Sequence, residues 1–214
     1  MSFTKAALKR IASEVRALRS EEERLEGIYY SPDEEQVGVG YALIRGPEDT
    51  PYHRGLFFFE VAFPFDYPLS PPRVHIMTTD GGRVRFGPNL YSCGKVCLSI
   101  LGTWTGPPWT ASMDLTTVLL SVQSLLSKNP MYNEPGMGAP TPVLDPTSSF
   151  YDSVVEHECL RVSIVQNLQT ILHIHSGRKT APRFMPAELR EAFCQNVSRD
   201  RGAFSSLIVK YNLD

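Results

Sequence analysis

Apolar and polar positions repeat in two rhythms along this chain, and each predicts a different element. Over residues 3–25, Thr4, Ala7, Leu8, Ile11, Val15 and Leu18 fall on one helical stripe. Lys5, Lys9 and Arg16 fall on the opposite side, and Gly27 can stop the helix. The rhythm then changes to period two. Val37 to Arg45 alternates weakly. Leu56 to Phe63 alternates strongly, with Phe57, Phe59, Val61 and Phe63 on one face and Leu56, Phe58, Glu60 and Ala62 on the other. Arg73 to Thr78 adds a short strand. Gly46-Pro47 and His53-Arg54-Gly55 are turns, and such short connections favour antiparallel hairpins.

Prolines at 64, 68, 71 and 72 make 64–72 a rigid loop, and a long irregular stretch runs from Gly81 to Pro108. Helical spacing returns at 114–127 through Leu115, Val118, Leu119, Val122, Leu125 and Leu126, and Asn129-Pro130 ends it. Residues 137–149 read as a Pro/Gly/Ser/Thr-rich loop. A helix is expected from about Phe150 to Leu172, and two shorter ones within 186–200 and 203–212. Helix, strands, irregular loop, then helices define an α+β class.

Composition removes several functions. The 21 basic and 23 acidic residues leave a net charge of −2, which argues against a nucleic-acid partner. No apolar run is long enough for a membrane span. With no signal-peptide pattern and four cysteines at 93, 97, 159 and 194, a reducing cytoplasmic or nuclear compartment without disulfides is expected. Cys93 and Cys97 lack a second ligand pair at zinc spacing, so no metal is expected.

Candidate chemistry centres on Cys97. Asn89 stands eight residues earlier in Gly87-Pro88-Asn89, and the loop Trp104-Thr105-Gly106-Pro107-Pro108-Trp109 follows. A thiol beside a carboxamide on a Pro-fixed turn suits acyl transfer through a thioester: the thiol carries the acyl group and the amide can donate to the oxyanion. Asn after Pro is also a common turn residue that bonds its own backbone, so Asn89 has two readings.

The run Pro-Asn, seven residues, Cys-Leu-Ser-Ile-Leu resembles the ubiquitin-conjugating enzymes. So do Tyr52-His53-Arg54-Gly55-Leu56-Phe57 and Phe63-Pro64-Phe65-Asp66-Tyr67-Pro68-Leu69-Ser70-Pro71-Pro72. The extra residues between Trp104 and Trp109, and Tyr132-Asn133-Glu134-Pro135-Gly136, are similar to the class Z branch. The resemblance implies the family's fold: an N-terminal helix, a four-stranded antiparallel meander, an active-site loop, a central helix and extended C-terminal helices. It implies a core over 1–172 and a helical extension over 173–214 packed on it. The implied activity is acceptance of ubiquitin or a ubiquitin-like protein on Cys97 from an activating enzyme, then transfer to a lysine or a ligase of RING or HECT type. No cofactor or nucleotide is implied, since the acyl group arrives activated. For the class Z branch the activating enzyme is one other than the usual enzyme.

The resemblance also assigns residues. Lys5, Lys9 and Arg16 become the surface for the activating enzyme, Leu69, Thr110 and Ala111 the ligase surface, and Glu134 an acid that orients or deprotonates the incoming lysine, with Asn133 competing for that position. The chain departs from the pattern at Gly87, where the family has His or Asn bracing the loop, at Leu69 in place of Phe, and at Thr110-Ala111-Ser112 in place of Ser-Pro-Ala. The alternative function is a noncatalytic ubiquitin-binding module of the same fold. Such relatives lack the Cys.

Overall fold

The computed structural model describes residues 2–21, 25–134 and 146–211. Helix α1 (Lys5–Glu21) leads into four strands, β1 (Ile28–Pro32), β2 (Val39–Arg45), β3 (Leu56–Ala62) and β4 (Arg73–Ile76). They form one antiparallel sheet in the order β1-β2-β3-β4. Helices α2 (Leu115–Ser124), α3 (Pro146–Glu158), α4 (Asn167–His175), α5 (Ala187–Arg199) and α6 (Arg201–Tyr211) follow. A π-helical stretch, Cys159–Gln166, joins α3 to α4.

Both faces of the sheet are apolar because both are covered. Ala42, Ile44, Phe57, Phe59 and Val61 join Leu18 of α1 and Leu115, Val118, Leu119 and Val122 of α2 in one apolar cluster. Tyr41, Leu43, Leu56 and Phe58 join Leu160, Ile164, Ile171, Met185, Leu189, Phe193 and Phe204 in a second. Phe58 stacks on Phe193 with ring centroids 6.1 Å apart. Each fully buried Phe of β3 contributes about 2–3 kcal/mol. Where β4 diverges, two hydroxyls satisfy the freed N–H groups of β3. Phe58 N donates to Thr78 Oγ1 at 2.9 Å and Leu56 N to Ser163 Oγ at 3.1 Å. Ser163 sits on the π-helical stretch and donates to Cys159 O at 2.6 Å. Helix α5 is fastened to β1 and β2 by Arg45–Asp200 at 2.9 Å, Arg45–Asn196 at 3.1 Å and Asn196–Tyr29 at 3.0 Å.

The structure alters several expected boundaries. Helix α1 starts at Lys5, and Thr4, placed on the apolar stripe by spacing, is exposed and caps it by accepting from Ala7 N at 3.1 Å. Leu8 of the stripe is 39% exposed, while Glu14 is buried. Glu14 accepts from Tyr67 Oη at 2.6 Å and from Leu115 N, at the start of α2, at 2.9 Å, and pairs with Arg10. Burying a carboxyl group is costly unless its oxygens are hydrogen-bonded in this way. The strand expected over Arg73 to Thr78 stops at Ile76, which frees Thr78 for β3. The loop expected over 137–149 gives way to helix at Pro146, since proline suits a first turn where its missing N–H costs nothing. Residues 137–145 lie outside the described residues, as do Pro135 and Gly136.

Candidate active site

The eight-residue interval between Asn89 and Cys97 is the register of a small hairpin. Leu90 and Val96 form an antiparallel bridge, and Tyr91 N donates to Lys95 O at 3.0 Å. Gly94 makes the turn with φ +89°, a region that favours glycine. One step further out, Cys97 N donates to Asn89 O at 2.9 Å. Residues directly opposite in an antiparallel pair share a face. The hairpin is fixed to the edge of β4 by the His75–Lys95 bridge and by Ile76 N donating to Gly94 O at 2.9 Å.

Both backbone groups of Cys97 and the Val96 and Leu98 groups that flank its peptide bonds are hydrogen-bonded. Asn89 Nδ2 donates to Cys97 O at 3.0 Å. Thr103 Oγ1 accepts from Leu98 N at 2.9 Å and lies 2.7 Å from Val96 O. Asn89 is 7% exposed, and its Oδ1 is buried with no hydrogen-bond partner among the described residues. Its NH₂ carries two protons. One serves Cys97 O, so bracing the loop and donating to an oxyanion are compatible roles. Cys97 itself is 1% exposed, so reaching a partner's carbonyl requires local opening around the thiol.

Gly87 is not a gap in the loop. Tyr52 Oη donates to Phe86 O at 2.6 Å and lies 2.9 Å from where a Cβ at position 87 would stand. Burial raises the Tyr52 phenol well above its ordinary range, so it stays a donor. Arg85 Nε donates to Gly87 O and Nη2 to Pro88 O, both at 3.0 Å. Arg85 Nη2 also lies 3.2 Å from Glu134 Oε2. Glu134 is therefore linked to the hairpin, whereas Asn133 turns to Ser127 Oγ at 3.2 Å. Sequence reasoning missed Tyr52, Arg85 and Thr103 as parts of the site; each acts through contacts that only the folded loop creates.

The remaining candidates form a second region. Lys5, Lys9 and Arg16 are exposed on α1, the helix whose Arg10 donates to Met113 O at 3.1 Å. Trp109 Nε1 donates to Pro68 O at 2.8 Å, which ties the segment that carries Thr110 and Ala111 to the loop that carries Leu69. All three are exposed, Leu69 by 77%. Phe3 meets Phe65 edge-on at 4.9 Å and ties α1 to the same Pro-rich loop. Cys93 is exposed, Cys159 buried and Cys194 half-buried, and His173 and His175 are exposed. Among the described residues no group of three or more His, Cys, Asp or Glu is placed to hold a metal ion, and no helix is long and apolar enough to cross a membrane.

A helix, a four-stranded antiparallel meander and a hairpin that pairs Cys97 with Asn89 define a class, and sequence comparison gives the same one. Residues 10–155 match the family model for ubiquitin-conjugating enzymes, and the chain belongs to that family. Its likeness is to the class Z branch. It is 48% identical over 143 residues to ubiquitin-conjugating enzyme E2 Z of Xenopus tropicalis, covering 67% of this chain and 45% of that protein. It is 41% identical over 169 residues to E2 Z of Danio rerio, covering 79% of this chain and 49% of that protein. It is 39% identical over 188 residues to the dual E2 ubiquitin-conjugating enzyme/E3 ubiquitin-protein ligase BIRC6 of Homo sapiens, covering 81% of this chain and 4% of that protein. The chain thus spans less than half the length of these relatives.

Proposed function

We propose that this chain carries ubiquitin or a ubiquitin-like protein as a thioester on Cys97. The observation that supports this best is the Asn89–Cys97 pairing, in which a thiol and a carboxamide donor share one face of an anchored hairpin. In the first step the Cys97 sulfur attacks the carbonyl of the activating enzyme's thioester, and that enzyme's thiol leaves. In the second a lysine nitrogen attacks the Cys97 thioester, or a ligase thiol does, and the Cys97 sulfur leaves. Asn89 donates to the oxyanion that forms as the lysine nitrogen adds to the Cys97 thioester, where a preorganised donor contributes most. Glu134 orients the amine or takes its proton.

The exposed cations Lys5, Lys9 and Arg16 form the surface for an acidic face of the activating enzyme, and Leu69, Thr110 and Ala111 meet a RING-type or HECT-type ligase. The protein works in a reducing cytoplasmic or nuclear compartment, which keeps Cys97 as a thiol. Incubation with activating enzyme, ATP and ubiquitin, followed by electrophoresis with and without reductant, tests the proposal. A reductant-labile adduct is expected. Its absence, with noncovalent ubiquitin binding retained, would favour a noncatalytic module.

A further inference from the structure

We propose that Arg85 is a positioning residue for acyl transfer, holding the Gly87-Pro88 turn and through it Asn89. The inference rests on the thioester reading above. The guanidinium makes four contacts that converge on one place. Nε donates to Gly87 O and Nη2 to Pro88 O, both at 3.0 Å. Nη2 also pairs with Glu134 at 3.2 Å, and Cζ lies 4.4 Å from the centroid of the Tyr91 ring. The Pro88 carbonyl belongs to the peptide bond whose nitrogen is that of Asn89. Fixing that oxygen fixes the plane from which the Asn89 side chain departs.

The turn needs a brace from outside itself. Gly87 has no side chain, and the space a side chain would enter is taken by the Tyr52 hydroxyl. Arg85 supplies the missing hold. Its planar fork reaches two carbonyls and a carboxylate together, which a single ammonium cannot reproduce. The side chain is 43% exposed and Glu134 47%. An ion pair that open adds little to stability. Its value lies in geometry: a misplacement of about 1 Å at a reacting group costs about a hundredfold in rate. Glu134 is held by the same fork, so the oxyanion donor and the lysine-facing carboxylate are set relative to one another by one side chain.

The test uses the full chain with Arg85→Met, which keeps an apolar stem, and Arg85→Lys, which keeps the charge. Charging by activating enzyme and ubiquitin is measured separately from discharge of the preformed thioester to free lysine. Arg85→Met is expected to slow discharge about tenfold to a hundredfold, the range for a misplaced reacting group, while charging changes far less and the melting temperature holds. Arg85→Lys recovers only part of the loss. Adding Arg85→Met to an Asn89→Ala, Glu134→Ala double variant should cause little further loss, because Arg85 acts through those two groups. Losses that multiply in that triple variant would overturn the inference. So would full recovery by lysine, unchanged discharge in Arg85→Met, or equal losses in charging and discharge with a lowered melting temperature. If the unmodified chain forms no adduct, the thioester reading itself has failed, and that result precedes any variant.

Discussion

Asn89 and Cys97 exchange two hydrogen bonds: Cys97 N donates to Asn89 O at 2.9 Å, and Asn89 Nδ2 donates to Cys97 O at 3.0 Å. The carboxamide therefore belongs to the fold of the loop before any acyl group arrives. Asn89→Ala should lower stability by about 1 kcal/mol, the usual net value of a hydrogen bond. It should also slow discharge to lysine about a hundredfold, the cost of losing one oxyanion donor. Charging should suffer less. Urea unfolding and single-turnover discharge measure the two effects. Equal loss in charging and discharge would leave bracing as the whole role of Asn89.

Gly87 and Tyr52 should be coupled. Tyr52 is fully buried, and its hydroxyl would have to shift for a Cβ at position 87, 2.9 Å away. Gly87→Ala should destabilise by about 1–3 kcal/mol, as overpacking does. In a Tyr52→Phe background, which loses the bond to Phe86 O, the same substitution should cost about 1 kcal/mol less. Additive costs in a urea double-mutant cycle would mean that the hydroxyl does not fill that space.

Reversing Lys5, Lys9 and Arg16 to Glu together should raise the concentration of activating enzyme needed for charging without unfolding the domain, because all three side chains are exposed. The defect should shrink as salt rises, since exposed charges are screened over about 8 Å at physiological ionic strength. Charging kinetics at low salt are the measurement. No change there would return these cations to an ordinary solvated face.

Asp80 gives the fold an acid-sensitive tie. Hydrogen bonds from Arg83, Gln166 and Arg161 hold its carboxyl down at about 2, against an ordinary 3.8. The charged form is thus favoured by folding. Its contribution is fully present above pH 3.8 and is lost as pH falls through the window from 3.8 to about 2. Asp80→Asn should cost about 1–2 kcal/mol at pH 7 and flatten the loss of stability below pH 4. Chemical denaturation at pH 7, 4 and 3 tests this. A parallel offset at all three would assign the cost to packing.

The elements read most surely from sequence are those whose side chains report burial directly. The alternation of Phe57, Phe59 and Val61 against Leu56 and Phe58 marked β3, and the spacing of Leu115, Val118, Leu119 and Val122 marked α2. Strand β1, IYYSP, escaped a residue range because five residues ending in Ser-Pro carry too little pattern. The start of α3 was hidden by Pro146, Thr147 and Ser148, which read as loop until the proline is seen in a first turn. Nothing in the spacing singles out Glu14, since its partners Tyr67 and Leu115 are far away in sequence. In the site, Cys97 and Asn89 were legible from their interval. Arg85, Tyr52 and Thr103 were not, because carbonyl-directed contacts leave no trace in residue spacing.

The central claim, that Cys97 carries the acyl group, is tested most directly by charging three single variants with activating enzyme, ATP and ubiquitin and mapping the adducts by mass. Cys93→Ala should form a reductant-labile adduct on Cys97. Cys97→Ser should form a reductant-stable ester at the same position, and Cys97→Ala should form none. An adduct that persists in Cys97→Ala and disappears in Cys93→Ala would contradict the account.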